Sequence, residues 1–283
     1  LLRPLAYKVH PYQWPTIGKE LSHIANATLD EVKDFFFRFY APNNAVLAVT
    51  GNISFEETVA LTEKWFASIP KRDVPVRQLP QEPAQTEERR LVVERNVPVD
   101  SLFMAYHMCE RAHPDYYAFD ILSDILSNGK SSRLNRHLVQ EKQLFSSIDA
   151  YISGTVDAGL FHISGKPAAG VSLEEAEAAV CEELNRLQNE AVAVQELEKV
   201  KNKFESTQIF GNINYLNVAT NLAWFELNGT AEDMEKEVER YRSVTAGQLQ
   251  AVAQTSFDKR NGVVLYYKGL SPAVSVREGV KLD

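Results

Sequence analysis

Residues 20–52, ELSHIANATLDEVKDFFFRFYAPNNAVLAVTGN, and residues 237–269, EVERYRSVTAGQLQAVAQTSFDKRNGVVLYYKG, decide how this chain is organised. Laid on one another at a constant offset of 217 without a gap, they set Thr28 on Thr245, Val32 on Leu249 and Tyr40 on Phe257. Asn44 falls on Asn261, and Val46-Leu47 on Val263-Val264. Only Glu20/Glu237, Thr28/Thr245, Asn44/Asn261 and Val46/Val263 are identical, so the repeat lies in the order of signals. That order is a capped helix, a polar stop ending in Asn, then an apolar strand. Thr28 with Glu31 makes a capping box, in which hydroxyl and carboxylate each satisfy an otherwise orphaned N–H. Leu29, Val32, Phe36 and Phe39 follow at helical spacing, and Ala41-Pro42-Asn43-Asn44 stops the helix. Ala45 to Val49 reads as a strand ended by Gly51 and Asn52. Ser54 and Glu57 start a second helix, carrying Val59, Leu61, Trp65 and Phe66.

Between the two copies, Pro70, Pro75, Pro80 and Pro83 fall in a stretch rich in charge, Gln and Val. Proline gives no ladder donor and stiffens the chain, so 70–88 reads as an extended interdomain linker. Beyond it, Leu91–Val97 and Leu102–Cys109 alternate like paired strands, and a helix is expected from Asp115 to Leu126. Asn128-Gly129-Lys130 turns into a shorter helix near 131–141, and Ile148–Ile152 with Gly159–Ser164 form a second strand pair. Ser172 with Glu175 caps a helix whose core stripe is Ala176, Val180, Leu184 and Leu187. Helices fit 194–209, 213–227, 231–241 and 245–256, and Val263–Tyr267 is the last strand. One strand and two or three helices do not close a domain, whereas the longer piece does. Projected back by the offset, a first unit would begin about 130 residues before Leu1. The expected fold is therefore α+β: a duplicated domain of mostly antiparallel sheet with helices packed on it, the first copy truncated. Residues 1–69 are the remnant of the first domain, 70–88 the linker, 89–270 the complete second domain and 271–283 a tail. Such a remnant is expected to expose apolar surface, driving self-association or tight packing of 1–69 on the second domain.

Composition narrows the chemistry. The 283 residues carry 30 Lys+Arg against 38 Asp+Glu, a net charge of −8 that argues against nucleic acid. Apolar residues make up 45% of the chain, enough for a sizeable core, and no run is long enough to span a membrane. Cys109 and Cys181 cannot build a disulfide framework. The six histidines, at 10, 23, 107, 113, 137 and 162, form neither His-Glu-x-x-His nor its inverse. His107, Cys109 and His113 lie near one another in sequence, but that strand is apolar on both faces, which favours burial over metal binding. Gly129-Lys130-Ser131 lacks the glycine five residues earlier that a phosphate loop needs, because that position is Asp124. No Gly-x-Ser-x-Gly elbow is present. Thr28, Ser54 and Thr230 each complete an Asn-x-Ser/Thr pattern and are better explained as helix caps.

His10-Pro11-Tyr12, Trp14-Pro15-Thr16-Ile17-Gly18, Tyr40-Ala41-Pro42-Asn43-Asn44-Ala45 and Gly51 resemble the insulinase/pitrilysin-type zinc metallopeptidases, the inverzincins. The likeness is to the half-length bacterial branch related to mitochondrial processing peptidase. Leu126-Ser127-Asn128-Gly129-Lys130-Ser131-Ser132-Arg133-Leu134, before Val139-Gln140-Glu141-Lys142, carries it into the second half. The resemblance implies two homologous α+β domains. It also implies a zinc centre, an inverted His-x-x-Glu-His with a distal Glu, upstream of His10. The matching helix of the second unit, around Phe119–Leu126, has no histidine. Relatives often carry an Arg and, seven residues later, a Tyr that grip substrate; Gln140 and Ser147 stand there. Gln lacks the charge and fork of Arg, and Ser the reach of a phenol.

The resemblance thus implies the C-terminal portion of a zinc endopeptidase acting on peptides or unfolded segments. This part would be scaffold and chamber wall, inactive alone, holding no metal and no catalytic residue, with zinc in the full-length protein. A homo- or heterodimer with a related subunit is expected, in the bacterial cytoplasm or periplasm. The alternative is a non-catalytic structural or assembly subunit. A third reading, free of the resemblance, is a peptide- or protein-binding α+β domain.

Overall fold

The computed structural model describes residues 1–270; the expected tail, 271–283, lies outside the described residues. Four helices precede the sheet: α1 (Leu2–Ala6), α2 (Leu21–Ala25), α3 (Leu29–Phe39) and α4 (Phe55–Phe66). The Thr28 hydroxyl accepts the Glu31 N–H while the Glu31 carboxylate takes the Thr28 N–H at 2.8 Å, closing the expected capping box. Ser54 accepts the Glu57 N–H at 3.1 Å and starts α4. Thr230 departs from the expectation, because the helix after it starts only at Asp233 and has no side-chain cap. The segments α1, α2 and the 3₁₀ turn Pro11–Gln13 are too short to leave a periodic signal in the sequence.

Five strands form one sheet: β1 (Arg89–Arg95), β2 (Ser101–His107), β3 (Phe145–Ile152), β4 (Leu160–Pro167) and β5 (Gly262–Gly269). Their order is β1-β5-β2-β4-β3, with β1 parallel to β5 and every other neighbour antiparallel. The sequence pairs β1 with β2; in the structure β5 lies between them. Its Val263, Val264, Leu265 and Tyr266 are all buried and demand cover on both faces, which a central strand provides. The charged residues of β1 suit an edge that meets water. The expected pair of β3 and β4 forms.

The second half supplies six more helices: α5 (Tyr116–Ser127), α6 (Leu173–Asn189), α7 (Val194–Gly211), α8 (Tyr215–Asn228), α9 (Asp233–Ser243) and α10 (Ala246–Ser256). A π-helical segment, Leu134–Glu141, stands where a short helix was expected. The core lies between one sheet face and these helices. Leu102, Met104, Phe161, Ile163 and Ile148 meet Ile121, Leu122 and Ile125 of α5, Val180 and Leu184 of α6, and Leu249 of α10. The other sheet face holds a small cluster in which Ala105, Leu160 and Val263 meet Ala6 and Tyr7. Residues 45–49 are a correction to the sequence reading. They belong to no sheet among the described residues, because a lone strand without neighbours has no ladder to join.

Candidate functional site

Gln140 lies near the end of the π-helical segment, exposed, and its amide is committed locally. Its Nε2 donates to the Lys130 carbonyl and to Asn135 Oδ1, both at 2.7 Å, so it braces the turn after α5. The same segment is anchored beneath by His137 Nδ1, 2.9 Å from an oxygen of the fully buried Glu183. Ser147 lies on the edge strand β3, where the register slips: Phe145 faces Pro167, but Ser147 faces Lys166. The extra residue is Ser146, whose hydroxyl donates to the Lys166 carbonyl at 3.1 Å. This bulge leaves Ser146 and Ser147 both exposed between the buried Phe145 and Ile148. It also breaks the alternation by which a strand is read, which is why the sequence places β3 only from Ile148. No hydrogen bond joins Gln140 to Ser147 among the described residues, and neither side chain offers a cation or a phenol.

The His10-Pro11-Tyr12 motif has a mechanical use that the sequence does not disclose. His10 is buried, and its Nδ1 accepts the Tyr12 N–H at 3.2 Å, capping the 3₁₀ turn. Its Nε2 lies 3.5 Å from Asp157 in the β3–β4 loop, which also takes the Tyr12 hydroxyl at 3.3 Å and Arg77 at 2.6 Å. The Tyr7 hydroxyl donates to the Ala158 carbonyl at 3.0 Å. Glu82, in the proline-rich stretch, accepts the consecutive N–H groups of Lys8, Val9 and His10 at 2.7, 2.8 and 2.9 Å. Gln85 donates to the carbonyls of Arg260 and Gly262 at 3.0 and 2.8 Å. Residues 70–88 have no helix or strand, yet they act as a strap fastening the first segment to the sheet.

Burial works to raise the Glu82 pKa, but the N–H groups of His10, Lys8 and Val9 outweigh it, and the carboxyl titrates below its usual 4.5. A depressed folded pKa means the clasp is at full strength above that value and weakens as pH falls through the folded one. Glu82→Gln is expected to cost about 1–2 kcal/mol near neutral pH, as charge-assisted bonds become neutral ones. The loss should shrink as pH falls through that lowered pKa, read as urea midpoints across an acid series.

A cavity of about 460 Å³ opens between the loop after β2 and helices α8 and α9. Its wall includes Arg111, Tyr117, Trp224, Asp233 and Arg240. The Arg111 guanidinium lies over the rings of Tyr116, Trp224 and Tyr117, at 4.0, 5.1 and 5.5 Å, and pairs with Glu237 at 2.5 Å. Arg240 pairs with Asp233 at 2.5 Å, so both cations are already matched.

No three His, Cys, Asp or Glu side chains gather as a metal site among the described residues. His107 Nε2 faces the Ala6 carbonyl at 3.2 Å and its ring packs on Tyr7; burial lowers its pKa. Burial pushes the Cys109 thiol up to about 12, while His113 lies by Asp115 on the loop. The described His, Cys, Asp and Glu side chains therefore offer no set that fits a zinc ion. Among the described residues, no helix is long and apolar enough to cross a membrane.

Residues 26–204 match the peptidase M16 inactive domain. The chain belongs to that family. The M16 inactive-domain match covers α3, α4, the strap, β1 to β4 with α5 and α6, and the first part of α7, and it agrees with the family resemblance read from the sequence. The zinc protease PqqE of Helicobacter pylori is 31% identical over 199 residues, 69% of this chain and 45% of that protein. The uncharacterized zinc protease YmxG of Bacillus subtilis is 25% identical over 207 residues, 73% of this chain and 49% of its own length. This M16 chain thus spans about half the length of those relatives. The crystal structure of a Helicobacter pylori protease superposes with a TM-score of 0.85 at 25% identity, covering 94% of this chain and 65% of that one.

Proposed function

We propose that this M16 inactive-domain chain is the C-terminal portion of a zinc-dependent endopeptidase, serving as scaffold and one wall of a peptide chamber. Residues 1–69 complete a first, catalytic unit, 70–88 strap it down, and 89–270 form the second unit. The observation that carries this reading is a contrast at equivalent positions of the repeat. Val32 is 57% exposed and its counterpart Leu249 is 0%; Leu47 is 58% exposed and Val264 is 2%. The same pattern that fills a core in the second unit lies open in the first. The first segment packs on the second at α1 and at the clasp around Tyr7 to Tyr12. The zinc and its ligands would belong to the preceding segment, and peptide would lie between the units. Gln140 and Ser147 stand at the gripping positions without the groups for gripping.

This is tested by producing the 283-residue chain and the longer protein encoded with its upstream segment. The longer protein is expected to hold one zinc and to cleave an unfolded peptide, and the shorter to do neither. One tight zinc or peptidase activity in the 283-residue chain overturns the proposal. Gln140 and Ser147 favour a second reading, a non-catalytic assembly subunit. An upstream segment with substituted zinc ligands would select it.

A further inference from the structure

The turn from α7 into α8 presents Ile209, Phe210, Ile213, Tyr215 and Leu216 to water, each more than half exposed. Its backbone is held in one shape: Asn214 accepts the Leu216 N–H at 2.9 Å, and Asn217 donates to the Gly211 carbonyl at 3.2 Å. Five large apolar side chains in one turn are a cluster of the kind that marks an interaction surface. The second unit does not use them, since its core is complete on the sheet side of α7 at Leu197 and Val200.

One hydrogen bond reaches this turn from far away in sequence: the Thr50 hydroxyl donates to the Tyr215 carbonyl at 2.7 Å. Thr50 ends the apolar stretch 45–49, and at the repeat offset it stands for Tyr267 of β5. In the second unit β5 has a strand on each side, β1 parallel and β2 antiparallel. A strand at 45–50 built to the same order requires two neighbours, and the Thr50 bond places its end beside Tyr215.

We infer that the apolar turn 209–216 is the seat for the upstream segment that completes the first unit, so that one surface fixes that unit against the second. This rests on the proposed function. The occupant is the segment preceding Leu1 rather than a second copy, because the Thr50 contact makes the seat continuous with the strand that lacks partners.

Leu216→Cys is exposed and should not disturb folding, so maleimide labelling at that site, read by peptide mass spectrometry, reports its cover. Glu174→Cys, exposed on α6, serves as reference. In the 283-residue chain both sites are expected to label fast. In the longer, zinc-holding protein Cys at 216 should label at least ten-fold more slowly and Cys at 174 unchanged. Equal labelling in a longer protein that does hold zinc overturns the seat and leaves the proposed function standing. A longer protein without zinc overturns the proposed function itself. Concentration-dependent protection at 216 in the short chain assigns the seat to a second copy and overturns the inference. As a second readout, Leu216→Asp should leave the short chain's melting temperature unchanged and lower that of the longer protein.

Discussion

Phe161→Ala is expected to cost about 3–5 kcal/mol of stability, the range for emptying a buried aromatic site. Phe161 is fully buried on β4, with Phe257 and Phe119 at ring separations of 5.0 and 6.4 Å. Its neighbours come from α5 and from the end of α10, elements fixed by other contacts, so the site cannot collapse around a methyl group. The transfer loss and the residual cavity therefore add. The measurement is the urea midpoint of the variant. Phe161→Leu, which refills most of the volume, should recover much of the loss. A decrease under 1 kcal/mol for alanine would mean that this sheet face is not the core.

Glu237→Ala should be comparably damaging for a different reason. Glu237 is 4% exposed, and its carboxylate takes Arg111 at 2.5 Å and the Tyr117 hydroxyl at 3.2 Å. Removing it strands a largely buried guanidinium, for which a loss of about 3–5 kcal/mol is typical. The rings under Arg111 soften but do not replace the lost counter-charge, since such contacts give about 0.5–2 kcal/mol. Replacing both partners, as Arg111→Met with Glu237→Leu, should recover most of the loss, because no charge is then left unmatched. A double variant no more stable than Glu237→Ala would show that the pair was not the source. In the repeat, Glu237 stands opposite Glu20, which is exposed. Identical residues thus carry opposite energetic weight.

The helices were legible where caps and spacing agree. Thr28, Ser54, Ser172 and Thr245 each mark a start that the structure keeps, because a cap is satisfied within four residues and needs no distant partner. The family was legible for a related reason, since its motifs are contiguous stretches such as Leu126 to Leu134. The bulge at Ser146 was not legible, since it depends on what faces the strand. The contacts of 70–88 were not legible, because proline content reports stiffness, not what Glu82 and Gln85 touch. The metal-like grouping of His107, Cys109 and His113 came apart in space. Its members face Ala6, the core and Asp115 respectively.

By itself the sequence determined the α+β class and the repeated order of capped helix, polar stop and apolar stretch. These follow from periodicity, capping and residue chemistry, all local properties of a chain. Only the tertiary structure decided that β5 enters between β1 and β2, that Glu82 clasps three N–H groups 72 to 74 residues away, and that Val32 and Leu47 lie open where Leu249 and Val264 are buried. Strand order and burial are set by which surfaces find partners, and an apolar pattern states the demand for a partner without naming it.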